Sequence, residues 1–164
     1  MFKREKLTLE YAKDAELRYV WKYLNKLCLV DTVFCSDDLK TYEDFDDILS
    51  GSLIFIARYY GEIAGIIWLN TFENKTARIH FFVLPPARRI LITGGREVIK
   101  RLLDWNDMET FYGFVPEWNK SAIKYYRKLG FKDFGIIPDL AYDQKKQTRG
   151  NMSCSYINKE IFNG

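Results

Sequence analysis

The stretch Asn119-Lys-Ser-Ala-Ile-Lys-Tyr-Tyr-Arg-Lys-Leu-Gly-Phe131 carries its own start and stop signals. Asn119 is a good helix N-cap, because its side-chain oxygen accepts from a leading amide that has no partner inside the helix. Ala122, Tyr126 and Leu129 then recur at helical spacing and make one apolar stripe. Trp118 and Ile123 hold the positions of a hydrophobic staple, and Gly130 suits the left-handed residue that ends a helix. Upstream, Thr110-Phe-Tyr-Gly-Phe-Val reads as a strand ended by Pro116; downstream, Phe131 to Ile137 reads as another. Strand, capped helix and strand in succession make an α/β unit.

Working outward, the next signals lie upstream. Leu7 to Ala12 predicts a short strand, with Asp14 as the N-cap of a helix that carries Leu17, Val20, Trp21, Leu24 and Leu27. Asp37 or Asp38 would cap a second short helix containing Phe45, Ile48 and Leu49 and stopping at Gly51. Ser52 to Tyr60 and Ile63 to Leu69 are β-rich runs joined at Gly61-Glu62, the pattern of a hairpin. Thr76 to Leu84 is a third run, halted by Pro85-Pro86 because proline cannot donate to a ladder. Its near-continuous apolarity predicts burial on both faces. Thr93 would cap a helix with Val98, Leu102 and Trp105 on one stripe, and Met152 to Ile157 predicts the last strand, after a polar loop at 143–150. The resulting order is β, α, α, β, β, β, α, β, α, β, β. It predicts a mixed sheet with helices on both faces, in one domain spanning residues 1–164.

Composition narrows the function. At 164 residues, 48% hydrophobic and 16% aromatic, the chain can fill a core. No apolar run approaches the roughly 20 residues of a membrane span, and the charged start Met1-Phe-Lys-Arg-Glu is followed by no apolar leader. A cytoplasmic location is expected. The three cysteines, Cys28, Cys35 and Cys154, fit no zinc spacing and read as small hydrophobes, so no metal is expected. The net charge of +3 is too small to imply a polyanion, and most aromatics sit at core periods rather than beside the bases, which excludes nucleic acid as a partner. Charge is nevertheless uneven. Six acids (Asp37, Asp38, Glu43, Asp44, Asp46 and Asp47) stand against Lys40, and five bases (Lys120, Lys124, Arg127, Lys128 and Lys132) stand against Glu117.

The spacing N-x-x-A-x-x-x-Y-x-x-x-G-F, filled by Asn119, Ala122, Tyr126, Gly130 and Phe131, resembles the signature that ends the acyl-CoA site of the GNAT acyl-CoA N-acyltransferase superfamily. A second segment resembles the pyrophosphate loop of the same family: Leu84-Pro85-Pro86 stands for V-x-P, and Arg89-Ile-Leu-Ile-Thr-Gly94 keeps the Arg and the last Gly of Q/R-x-x-G-x-G/A. Ile92 replaces the first glycine, and a β-branched residue there crowds the approach of backbone to phosphate. The resemblance covers nearly the whole chain and implies a single-domain GNAT fold, an α/β architecture with a mixed, mostly antiparallel sheet.

It also implies an activity: transfer of acetyl from acetyl-CoA to a primary amine by direct attack. In that reading the backbone amides around Val83 and Leu84 hold the pantetheine arm and polarise the thioester carbonyl. Arg88, Arg89, Thr93, Gly94 and Gly95 surround a helix start suited to the diphosphate, and Asn119 contacts the cofactor. Tyr126 is the acid for the leaving thiolate, since a phenol keeps its proton at neutral pH. His80, the only histidine, is the candidate base, because imidazole titrates near neutrality; Glu62 and Glu73 are fallbacks. The acceptor is a small-molecule or protein amine, for which the acidic run at 37–47 suggests a cation, and the protein is a monomer or homodimer. The second reading of the same residues is a GNAT-fold binding or assembly protein that has lost catalysis, with Ile92 as the mark of a weakened CoA site.

Overall fold

The structure is a computed structural model that describes residues 6–35 and 38–164, with the side chains of Pro86, Arg88, Arg89 and Asn106 outside the described set. The chain runs through β1 (Leu7–Tyr11), α1 (Asp14–Lys26), α2 (Val30–Val33), α3 (Tyr42–Leu49), β2 (Leu53–Tyr59), β3 (Glu62–Glu73) and β4 (Thr76–Val83). A 3-10 helix (Pro85–Ile90) leads into α4 (Leu91–Asp104), followed by a 3-10 turn (Trp105–Asp107), β5 (Thr110–Pro116), α5 (Lys120–Leu129), β6 (Lys132–Asp143), β7 (Thr148–Asn158) and α6 (Lys159–Asn163). The seven strands form one sheet in the order β1-β2-β3-β4-β5-β7-β6, and only the β4–β5 pair is parallel. The mixed, mostly antiparallel sheet is the one expected.

Strands β2 and β3 are apolar on both sides because each side has its own helical layer. Ile56, Ile66 and Trp68 pack with Leu17, Val20 and Leu24 of α1, Val30 of α2 and Phe45 and Leu49 of α3. Phe55, Ile67, Leu69, Ala77 and Ile79 pack with Val98, Ile99, Leu102 and Leu103 of α4 and Ile123, Tyr126 and Leu129 of α5. The β2–β3 hairpin turns on Tyr60 and Gly61, both at positive φ (51° and 88°), as a two-residue turn matched to strand twist requires.

Several predicted boundaries move. Helix α1 begins at Asp14, whose carboxylate bonds to Arg18 and to Tyr42 on α3 instead of capping. Thr41 caps α3, accepting from the Asp44 amide at 3.2 Å while the Asp44 carboxylate accepts from the Thr41 amide at 2.8 Å. Asp38 instead pairs with Lys40, and Asp37 lies outside the described residues. The hairpin β6–β7 is longer than predicted, with only residues 144–147 between its strands.

One irregularity positions the site. Strands β4 and β5 pair over only three residues, Thr76–Arg78 against Thr110–Tyr112. Beyond them β4 stays with β3 as far as Val83, and β5 stays with β7 as far as Pro116. The sheet therefore opens as a wedge between Ile79–Val83 and Gly113–Pro116. The ring of Tyr126 enters this wedge from α5, stacked on Phe81 (4.7 Å) and set edge-on to Phe131 (4.7 Å). Gly113 makes room for it: a Cβ at that position would stand 2.4 Å from Cε1 of Tyr126. Strand propensity alone favours Ala over Gly. The packing reverses the sign, so Gly113→Ala should destabilise the protein by about 1–3 kcal/mol. Urea denaturation reads this as a lowered midpoint, and a midpoint equal to or above the parent's would refute the contact.

Candidate active site

The wedge is lined by backbone that has lost its ladder. The amide of Leu84 donates to the carbonyl of Ala64 on β3 (2.9 Å). Along an antiparallel strand successive residues turn their N–H and C=O groups to alternate sides. Phe82 and His80 therefore also face β3, and Ile79, Phe81 and Val83 face the wedge. The Tyr126 hydroxyl marks that direction, donating to the Ile79 carbonyl at 3.4 Å. Of the two residues expected to offer amides, Val83 points the right way, and Leu84 does not because Ala64 already occupies it. Phe81, which the sequence reading passed over, also faces the wedge.

Helix α5 is built as its sequence requires. The Asn119 side chain accepts from the Ala122 amide (3.2 Å). Gly130 at φ +107° ends the helix, with its amide donating to Arg127 and the Phe131 amide donating to Tyr126. These last two bonds are the reciprocal pair of a Schellman motif, so the terminal Gly-Phe of the signature is a helix stop. The motif thereby fixes where Tyr126 stands. Its side chain is buried, and burial raises the phenol's pKa well above its ordinary value. The hydroxyl keeps its proton through any physiological pH.

The start of α4 differs from the expectation. The prolines that stop β4 also begin the 3-10 helix, since proline's fixed φ suits a first helical position. The 3-10 helix runs to Ile90, which leaves helical geometry (φ −112°, ψ 17°), and α4 opens at Leu91, so Thr93 lies inside its first turn rather than at the cap. The Thr93 hydroxyl bonds to the Ile90 carbonyl at 3.4 Å. Gly94 and Gly95 lie one turn in, where they serve packing: a Cβ on Gly94 would meet Ile90 at 3.0 Å, and one on Gly95 would meet the Tyr125 hydroxyl at 2.5 Å and Leu129 at 2.7 Å. Arg96 donates to the Leu129 carbonyl (3.0 Å) at the end of α5 and lies over the Phe162 ring. The first turn of α4 carries no acid, so its leading amides keep their attraction for an anion. Arg88 and Arg89 sit on the 3-10 helix just before it, with side chains outside the described set.

His80 lies on the other face of β4. Its ring stacks on Trp68 at 4.8 Å, and Nε2 is 3.2 Å from Oδ1 of Asn70. Burial there, with a smaller contribution from the nearby Arg78 charge, pushes its pKa down to about 3. An imidazole so reluctant to take a proton is a poor general base, which corrects the expectation drawn from its ordinary pKa. Of the two fallbacks, Glu62 stands exposed in the β2–β3 hairpin, and Glu73 faces Thr76 at the closed end, away from the wedge.

A strand pair that parts beside a buried phenol, with a helix start beyond it, is the arrangement against which known proteins can be compared. The family model described as the acetyltransferase (GNAT) family matches residues 21–131. The chain belongs to the GNAT acetyltransferase family. As a GNAT protein it is an acyltransferase. Among solved structures, spermidine N-acetyltransferase from Vibrio cholerae, in complex with CoA and spermine, aligns with a TM-score of 0.77 at 16% identity, over 98% of this chain and 100% of that one. An acetyl transferase from Salmonella typhimurium that modifies the N-terminal serine of ribosomal protein L7/L12 gives 0.77 at 14% identity, over 94% and 96%. At these identities the likeness is one of fold. Among curated protein sequences none matches significantly. No helix among the described residues is long and apolar enough to cross a membrane.

Gly113, which makes room for the Tyr126 ring, was also passed over by sequence reasoning, and its signal was present: a glycine inside a strand marks a close approach. The state of His80 yields a test. In the folded GNAT chain it stays neutral down to about pH 3, whereas an unfolded histidine takes a proton near 6.5. The unfolded chain therefore binds more protons between those values. The stabilisation is complete above pH 6.5 and is lost as pH falls towards 3, at up to about 1.4 kcal/mol per pH unit. Urea midpoints between pH 7.5 and 5.5 should fall in the parent and stay flat in His80→Gln, the chain having no other histidine. Parallel curves for the two proteins would contradict this.

Proposed function

We propose that the protein is a single-domain, cytoplasmic N-acetyltransferase that uses acetyl-CoA to acetylate a primary amine on a small molecule or protein. The observation that carries the reading is the wedge between β4 and β5, with wedge-facing amides on one wall and the Tyr126 hydroxyl at its apex. Acetyl-CoA, when bound, supplies the acetyl group as a thioester and leaves as the thiol.

The residues fit that group in two places. The amides of Phe81 and Val83 are turned where a pantetheine amide or a thioester oxygen would accept from them, and donors fixed in a buried cleft favour developing oxyanion charge. The acid-free start of α4, preceded by Arg88 and Arg89, suits a diphosphate. Because Gly94 and Gly95 are occupied by packing, phosphate recognition falls to the leading amides of α4, beside Ile92. Asn119 supports the site by capping α5.

Tyr126 is the acid. Its bond to Ile79 is long, so little is lost when the hydroxyl turns into the wedge, and being protonated at neutral pH it can donate to the sulfur as negative charge develops there. His80 has no part in this step. The acceptor must enter as the free amine, and the proton its nitrogen sheds on forming the amide returns through water to Tyr126.

A thiol-release assay over a panel of amines tests the reading. Tyr126→Phe should lower kcat by about 10²-fold or more while calorimetry finds CoA bound as before. An unchanged kcat would remove Tyr126 from the chemistry, and a parent protein that binds no CoA would overturn the assignment.

A further inference from the structure

Tyr125, the neighbour of Tyr126, has no place in the chemistry above, yet its surroundings are unusually specific. Its hydroxyl donates to the carbonyl of Leu91, the first residue of α4, at 2.8 Å. Its ring sits edge-on to Phe81 at 5.5 Å. Its tip occupies the side-chain space that Gly95 leaves empty, where a Cβ would stand 2.5 Å from the hydroxyl oxygen. A glycine in a helix interior costs about 1 kcal/mol relative to alanine. The space it frees is filled by this one hydroxyl together with Leu129.

These contacts reach three parts of one site. Phe81 turns its amide into the wedge, Leu91 opens the helix whose leading amides face the diphosphate, and Tyr125 rides on α5 beside the acid. We infer that Tyr125 is a positioning residue for the acyl donor, clamping the first turn of α4 to the wedge so that both sets of amides meet one ligand in register. The inference rests on the acetyl-CoA reading above. It supplies what the pyrophosphate loop lacks. A glycine loop wraps an anion by flexing, whereas here a 3-10 helix leads directly to α4 and Ile92 stands where a glycine was expected. A rigid cradle of that kind binds well only if it is held at the right angle. The Leu91 carbonyl is suited to the task, because a bond to it fixes the first turn without engaging any N–H group.

The test uses Tyr125→Phe, which removes the hydroxyl and keeps the ring. The dissociation constant for CoA by calorimetry and the KM for acetyl-CoA should each rise about tenfold, the size of one net hydrogen bond. The KM for the amine and kcat at saturating acetyl-CoA should stay within about twofold, as expected of lost ground-state binding. Gly95→Ala, which displaces the hydroxyl from the other side, should weaken CoA in the same direction, with circular dichroism confirming that both variants fold. If the parent binds CoA and Tyr125→Phe binds it equally well, the inference is overturned while the acetyl-CoA reading stands. Equal losses in kcat and in both KM values would also overturn it, because they indicate general loosening. If the parent itself does not bind CoA, the underlying reading fails first.

Discussion

Three residues of parallel pairing, Thr76–Arg78 against Thr110–Tyr112, hold the two halves of the sheet together. Each strand is committed elsewhere along the rest of its length, β4 to β3 and β5 to β7, so the seam parts where the shared pairing ends. What lies beyond the third pair is backbone without a ladder in the middle of a protein. Backbone polar groups seldom stay buried without a partner, because each one left bare costs as much as a lost hydrogen bond. The polar groups along the open seam therefore call for water or another polar partner. In the protein alone part of that role falls to the Tyr126 hydroxyl on Ile79, and a ligand with amide and carbonyl groups in sequence would meet the remainder.

The same constraint explains why small residues gather around the wedge. Gly113 admits the Tyr126 ring from one side, and Gly95 admits the Tyr125 hydroxyl and Leu129 on the adjacent helix. Both glycines lie where their own element would prefer a side chain, so the stability forgone there is offset by the aromatic packing of Phe81, Tyr126 and Phe131. Burial has opposite consequences for the two titratable groups next to the seam. It keeps the phenol protonated at neutral pH, so the hydroxyl remains a donor, and it disfavours the charged form of His80, which makes that imidazole a poor base.

The helix from Asn119 to Phe131 was legible in the sequence because its determinants are local: a cap, a stripe and a stop within thirteen residues. The succession of strands along the chain could be approached in the same way, through runs of β-branched and aromatic residues closed by proline or glycine. Positions decided at longer range were not legible. Whether Val83 or Leu84 presents its amide to the wedge depends on the register of β4 against β3, and a one-residue change reverses the answer. Thr93 looked like a cap because Pro85-Pro86 was read as a stop, whereas the prolines also start the 3-10 helix that leads into α4, where Thr93 lies inside a turn. The ordinary pKa of histidine promised a base, but Trp68 and the helical layer behind it, both distant in sequence, remove that capacity. The short helices α2 and α6 carry too few residues to show a period.

The most direct measurement is a titration of the 15N-labelled protein with CoA, followed residue by residue along β4. The amides of Phe81 and Val83 should shift and saturate together, while those of His80, Phe82 and Leu84, held to β3, move little. Uniform shifts along the strand, or shifts confined to the β3-facing residues, would contradict a wedge that binds its ligand through the backbone it leaves unpaired.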